Sequence, residues 1–78
     1  MNIEQLKQYI KDQQRHLIDE TQNEYENIPE KEIRQGYEEG NLEEVLKNHG
    51  EVPIHDSFNN GAYFAYSKIL TALEGNEN

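Results

Sequence analysis

The side chains that could carry out acid–base or metal chemistry are three histidines and several closely spaced carboxylates. His16 precedes Glu20 by four residues, and His55 is followed directly by Asp56. Four-residue spacing places two side chains on one face of a helix, which suits two ligands of a zinc ion. A complete site needs further ligands, and the chain has no cysteine to supply them. We therefore expect no metal, with His16 and Glu20 as a surface pair and His55 and Asp56 as a contact at a helix start.

Pairs of glutamates offer a second kind of chemistry. Glu20 and Glu24, and likewise Glu39 and Glu43, are four residues apart. In this they superficially resemble helical magnesium-dependent nucleotide hydrolases, which present paired glutamates on facing helices. The pairs here lie on polar faces, and Gly40 interrupts the second. Because P-loop, GxGxxG, HExxH and nucleophile-elbow motifs are all missing, we expect no enzyme and no cofactor. A minor metal-dependent nucleotide hydrolase remains an alternative.

Negative charge dominates the chain and bears on its partners. The formal net charge is −9, which disfavours direct binding to nucleic acid or to an anionic membrane. It favours a protein partner with a basic surface, although the same charge also serves solubility alone. Residues 26–44 carry seven acidic side chains against two basic ones. The residues predicted to contact a partner are Glu26, Glu30, Glu38, Glu39, Glu43, Glu44 and Tyr37.

Four cations suggest a different ligand. Lys7, Lys11 and Arg15 follow one another at four-residue steps, and Lys68 lies near the other end of the chain. Gathered across an interface between subunits, these side chains would bind an anionic, nucleotide-like molecule. They predict, as an alternative function, an oligomer that sequesters a small molecule. Ordinary ion pairing along a helix surface would explain the same residues.

Helical periodicity covers the first third of the chain. Apolar residues recur at steps of three, four and seven without an intervening Gly or Pro, which predicts a long helix over residues 3–26. They form one apolar stripe, made of Ile3, Leu6, Ile10 and Leu17. Asn2 is a suitable N-cap for this helix. Gln13 occupies a place in the stripe where an aliphatic residue is expected. It is either the edge of a narrow stripe or a buried polar residue that fixes helix register.

Two short helices are predicted in the middle of the chain. Pro29 ends the first helix and suits the first turn of a second one, which Gly40 terminates. Asn41 and Glu44 form an approximate capping box for a third helix over residues 42–48.

A connector and a last helix complete the chain. Residues 51–56 are predicted to be extended, with Val52 and Ile54 covering the core. The following periodicity predicts a helix over residues 58–74, ending at Gly75. The residues at steps of three and four, predicted to pack against the first helix, are Phe58, Ala62, Ala65 and Ile69.

The apolar side chains of the last helix are too many for a chain of this length to bury easily. A 78-residue chain has a modest core, and this one has no disulfide to support it. Small residues in the last helix allow close approach by the first helix, and the apolar side chains left over predict self-association. The alternative is a monomer whose tyrosines edge the core with their hydroxyls in water. The predicted oligomer interface comprises Ile3, Leu6, Ile10, Leu17, Phe58, Ala62, Tyr63, Ala65, Tyr66 and Ile69.

These patterns define an expected architecture and function. The fold class is all-α: a small helical bundle with a long N-terminal helix, two short middle helices and a C-terminal helix, assembled as a homo-dimer or higher homo-oligomer. We expect one helical domain over residues 1–75, a disordered tail at residues 76–78, and a cytoplasmic protein without signal peptide or membrane span. The expected function is a non-enzymatic, acidic protein-binding module that inhibits or regulates a protein with a basic surface. In size, acidity and composition the chain is similar to small accessory proteins of bacteriophages and other mobile elements, a resemblance of style that no motif carries.

Overall fold

Four helices and no strand make up the computed structural model over residues 2–75, the part of the chain that the structure describes. The predicted all-α class is confirmed. The helices are α1 (Ile3–Glu24), α2 (Glu30–Glu39), α3 (Leu42–Asn48) and α4 (Asp56–Gly75). The predicted tail at residues 76–78 lies outside the described residues. Within residues 2–75, no helix combines the length and the apolar character that crossing a membrane requires.

Local signals set most helix ends. At the start of α1, the Asn2 side chain accepts a hydrogen bond from the Gln5 amide at 2.8 Å, and the Gln5 side chain accepts one from the Asn2 amide at 3.1 Å. This capping box satisfies two otherwise unpaired donors. The helix ends at Glu24, two residues before the predicted end. Gly40 closes α2 at φ 75°, a left-handed conformation that glycine adopts without strain.

The start of α3 differs from the prediction. The Asn41 side chain makes no capping bond, so the expected capping box with Glu44 is not formed. The amide of Leu42, the first residue of α3, instead donates to Asn60 Oδ1 of α4 at 3.2 Å. Asn60 Nδ2 also donates to the Tyr37 carbonyl at 3.0 Å. One side-chain amide from α4 therefore replaces the local cap and holds the turn between α2 and α3.

The two long helices pack antiparallel. Gln14 Nε2 donates to the Tyr63 carbonyl at 3.1 Å and to Ser67 Oγ at 2.8 Å. Nearer the end of α1, the Tyr25 hydroxyl donates to Asp56 Oδ2 at 3.0 Å. Residue 14 thus contacts the middle of α4 and residue 25 contacts its start, so α1 and α4 run in opposite directions.

The core lies at one end of an elongated molecule. Its buried members are Ile18, Tyr25, Ile28, Ile33, Tyr37, Leu42, Leu46 and Tyr63. The rings of Tyr37 and Tyr63 stack with centroids 5.1 Å apart, an arrangement that adds to the stabilisation from burial. The molecule measures 44 × 19 × 18 Å, and neither residues 3–9 nor residues 64–75 include a buried side chain. The start of α1 and the end of α4 therefore form a two-helix arm that α2 and α3 do not cover.

The buried face of α1 is rotated from the predicted stripe. Its buried residues are Ile10, Gln14, Ile18 and Thr21. Of the predicted stripe, Ile10 is buried, Leu6 and Leu17 are half-buried, and Ile3 is 44% exposed. The buried polar residue is Gln14 rather than Gln13, because Gln14 is the one whose amide reaches α4.

The predicted face of α4 is turned away from the core. The buried residues of this helix are Asp56, Asn60 and Tyr63. Phe58, Ala65 and Ile69, which the periodicity placed on the packed side, are exposed. Polar residues point inward here because hydrogen bonds from α1 and from the turn between α2 and α3 satisfy them.

The connector before α4 does not cover the core. Val52 is 78% exposed and Ile54 is 71% exposed, so the prediction that they cover the core is wrong. Asp56 Oδ2 accepts a hydrogen bond from the Ile54 amide at 3.2 Å, which fixes the backbone just before α4 with the Ile54 side chain in solvent.

Candidate functional site

The residues predicted to contact a partner are at least partly exposed, with the exception of Tyr37. Glu26 follows α1, Glu38 and Glu39 end α2, and Glu43 and Glu44 are in the first turn of α3. All of these are exposed except Glu43, which is half-buried.

The exception is Tyr37, which is 1% exposed and stacks on Tyr63. Its hydroxyl lies 2.6 Å from Thr21 Oγ1. Tyr37 is therefore a core residue in this fold and does not belong to a contact surface.

Glu30 is committed to ion pairs within the chain. Its Oε1 accepts hydrogen bonds from Arg15 Nη1 at 2.8 Å and from Arg34 Nη2 at 2.7 Å. The hydrogen bond from Arg34 is the main reason that the pKa of Glu30 is lowered. Glu30 thus links α1 to α2, and its charge is largely matched before any partner arrives.

One groove brings an acidic and an aromatic side chain together. It lies between the turn that joins α2 to α3 and the first half of α4, and has a volume of about 430 Å³. We call it the acidic groove; its lining residues are Gly40, Glu43, Ser57, Asn60, Gly61 and Phe64. Asn60 positions both walls, because it is part of α4 and binds the backbone of the opposite turn.

Phe64 is the large apolar side chain of the acidic groove. It is 59% exposed, and Lys68 Nζ lies 5.0 Å from the centre of its ring. This distance fits a cation–π contact, in which the electron-rich ring face attracts a positive charge. A carboxylate and an aromatic ring in one groove are the two groups that best hold a cationic side chain.

The four cations predicted to act together do not all line one cavity. Lys11 and Arg15 line a second cavity of about 240 Å³, which we call the basic pocket. Its lining residues are Lys11, Gln14, Arg15, Ile18, Arg34, Glu38 and Tyr63. Lys7 pairs with Glu4 at 3.4 Å, and neither Lys7 nor Lys68 is part of the pocket lining. Arg34 is the cation that the sequence reasoning missed, because it comes from a different helix.

Two of the three histidines form pairs with glutamates on the surface. His16 Nε2 lies 2.9 Å from Glu20 Oε1 on α1, and His49 Nε2 lies 3.2 Å from Glu32 Oε2. Over residues 2–75, no three His, Asp or Glu side chains come together as a group that could hold a metal ion.

Of the residues that line the acidic groove, the sequence patterns assigned Glu43 to a contact surface but did not assign Phe64 or the small and polar residues beside it. Ser57, Asn60 and Gly61 lie in a five-residue stretch that contains the sequence Asn-Asn-Gly. Its composition is more typical of a loop than of a binding surface. A run of small polar residues on the first turns of an aromatic-rich helix is the signal that could have identified them.

Comparison with known proteins adds no assignment. The chain matches no protein-family model, and no curated protein or solved structure is significantly similar to it.

Proposed function

We propose that this chain is a non-enzymatic protein-binding module that inhibits or regulates a protein with a basic surface by covering that surface. The observation that carries the proposal is the acidic groove, in which Glu43 and the exposed Phe64 ring line the same cavity. A lysine or arginine of the partner would place its charge between the carboxylate and the ring.

Charge supports the approach of such a partner. With a net charge of −9, the chain attracts basic surfaces over distances of about one Debye length, roughly 8 Å at physiological ionic strength. Electrostatic attraction raises the association rate more than the final affinity. Exposed Glu38, Glu39 and Glu44 surround the same turn and would extend the contact.

The test compares variants for capture of a partner from lysate and then for binding to the purified partner. Phe64→Ala removes the ring of the groove, and Tyr9→Ala is the matched control, because Tyr9 is an exposed aromatic residue of α1 that does not line the groove. Glu43→Gln removes the carboxylate, and Glu4→Gln makes the same charge change in the first turn of α1. We expect Phe64→Ala and Glu43→Gln each to weaken binding by roughly tenfold or more, with little effect of the controls. Equal losses for groove variants and controls, or an association rate that does not respond to salt, would contradict the proposal.

A homo-oligomer formed through the outer face of α4 is part of the proposal. Phe58 and Ile69 are 79% and 46% exposed, and Ala65 on the same face is small enough to let a second helix approach. An exposed apolar face of this kind is costly to leave in water. Light scattering should give a mass of at least twice the 9.2 kDa of one chain. Ile69→Glu should return the mass to that of a single chain. A single-chain mass for the unmodified protein at all concentrations would rule out this interface.

A further inference from the structure

The basic pocket concentrates positive charge in a chain that is otherwise acidic. Three of the seven Lys and Arg residues line it, namely Lys11, Arg15 and Arg34. They come from two helices, since Lys11 and Arg15 are on α1 and Arg34 is on α2. The chain has a net charge of −9, so a concave site with three cations is the part of its surface best suited to an anion.

Two of these cations are held in place by a carboxylate outside the pocket lining. Glu30 Oε1 accepts from Arg15 Nη1 at 2.8 Å and from Arg34 Nη2 at 2.7 Å, and Arg15 Nε lies 3.1 Å from Asp19 Oδ1. A guanidinium carries five N–H donors, so these bonds leave donors on both arginines. Glu30 therefore orders the two heads without using up their capacity to bind oxygen atoms.

Lys11 supplies a charge that is not committed to an ion pair within the described part of the chain. Among residues 2–75, no carboxylate lies within ion-pair distance of Lys11. It lies one helical turn before Arg15, so its ammonium group is on the same side of α1. An anion in the pocket would gain this charge together with the free donors of the two arginines.

The remaining lining residues limit the ligand. Ile18 and the buried Tyr63 ring add apolar surface beside the cations, a mixture typical of sites for small organic molecules. Glu38 places one negative charge in the lining, which opposes a long polyphosphate. The volume of about 240 Å³ is below the roughly 300–1,000 Å³ of pockets for drug-sized ligands. These features fit a small molecule with one compact anionic group.

We propose that the basic pocket of a single chain binds a phosphate monoester, with Lys11, Arg15 and Arg34 around the phosphate and the organic part against Ile18 and Tyr63. This site differs from a ligand site between subunits, because all its lining residues belong to one chain. The basic pocket is also separate from the acidic groove, so this ligand-binding proposal can be tested independently of the proposed partner binding.

The experiment titrates the folded protein with ribose 5-phosphate and, in a second arm, with inorganic phosphate, by NMR chemical-shift mapping and calorimetry. Lys11→Gln and Arg34→Gln remove single cations. Lys31→Gln is the matched control, because Lys31 is an exposed residue of α2 that does not line the pocket. Circular dichroism of each variant establishes that it is folded.

We expect saturable binding of ribose 5-phosphate, with shifts centred on the residues of the basic pocket. Loss of one charged contact should weaken binding by about tenfold or more for Lys11→Gln and Arg34→Gln, with less than about twofold change for Lys31→Gln. Equal affinity for the two ligands would assign the site to the free phosphate ion. Tighter binding of ribose 5-phosphate than of inorganic phosphate would assign it to the phosphate monoester. Lack of saturation by both ligands at millimolar concentration, or equal weakening by Lys31→Gln, would overturn the proposal.

Discussion

Buried polar side chains determine how the two long helices of this protein meet. Gln14 links α1 to the middle of α4, and Asn60 links α4 to the turn between α2 and α3. Each is only 9% exposed, so each would be costly to bury without its hydrogen bonds. Hydrophobic burial supplies most of the driving force for folding but is not directional. The hydrogen bonds of Gln14 and Asn60 therefore select one register among the packings that the apolar residues allow.

Gln14 and its neighbour Gln13 provide a direct test of this role. Gln14→Ala removes the donor to the Tyr63 carbonyl and to Ser67 Oγ, and should lower the free energy of unfolding by about 1–2 kcal/mol. Gln13→Ala makes the same chemical change one position earlier, where the side chain forms no hydrogen bond with the described part of the chain, and should change stability by less than about 0.5 kcal/mol. Urea denaturation followed by circular dichroism measures both. Equal effects of the two substitutions would show that Gln14 does not fix the register.

At the scale of elements, helix ends were predictable and helix faces were not. Residues 42–48 form α3 as predicted, α1 ends two residues before its predicted end, and α4 begins at Asp56, two residues before its predicted start. These bounds are close to the predicted ones because capping residues, prolines and glycines act locally. Which face of α1 and of α4 is buried depends on which polar residues form hydrogen bonds with another helix. Hydrophobic periodicity does not predict those hydrogen bonds. Phe58 and Asn60 illustrate the result: the aromatic residue is exposed and the amide is buried. For the same reason the sequence identified Lys11 and Arg15 but not Arg34, their neighbour in the basic pocket.

The contact between α2 and α3 is close enough to require glycine. A Cβ atom built on Gly36 would lie 3.1 Å from Leu42 Cα and 3.3 Å from Val45 Cγ2. The Leu42 backbone cannot easily move away, because Asn60 holds its amide. We expect Gly36→Ala to destabilise the protein by about 1 kcal/mol, since the cost of overpacking exceeds the gain in helix propensity.

Gly61→Ala is the matched control for Gly36→Ala. Gly61 is also inside a helix, but a Cβ atom built there meets nothing within 4 Å. This substitution should stabilise the protein by about 0.5–1 kcal/mol through helix propensity and reduced chain entropy in the unfolded state. Thermal unfolding of both variants should give melting temperatures that move in opposite directions. A rise for Gly36→Ala would mean that α3 can shift away from α2 at little cost.

At the scale of the whole molecule, tyrosine rings fill much of the core, a role that aliphatic side chains have in larger cores. Tyr25, Tyr37 and Tyr63 are all buried at the end where the four helices meet. The phenolic hydroxyls of Tyr25 and Tyr37 bind a carboxylate and a threonine hydroxyl there. The large apolar residues Ile3 and Phe58 lie outside this core and are exposed. A core built from tyrosine leaves these apolar side chains in solvent, and it predicts a fold that is sensitive to alkali.

The tyrosine core predicts loss of stability at high pH. Burial raises the pKa of all three phenols, and the Asp56 carboxylate raises that of Tyr25 further. Well below about pH 10, the pKa of tyrosine in an unfolded chain, the phenols are neutral in both states and the core keeps its full stability. Above that pH the unfolded chain ionises first, so the free energy of unfolding falls as pH rises. The loss is at most about 1.4 kcal/mol per buried phenol at one pH unit above the unfolded pKa.

Tyr25→Phe separates this effect from general alkaline denaturation. The variant should be less stable near neutral pH, because Asp56 Oδ2 loses the Tyr25 hydroxyl and keeps the Ile54 amide as a donor. Its stability should also fall less steeply between about pH 9 and about pH 11, because one buried phenol no longer ionises on unfolding. Urea midpoints measured across that range for both proteins give the two slopes. If the slopes are the same, Tyr25 does not contribute to the alkaline loss, and the decline must come from Tyr37, Tyr63 or repulsion within the −9 chain.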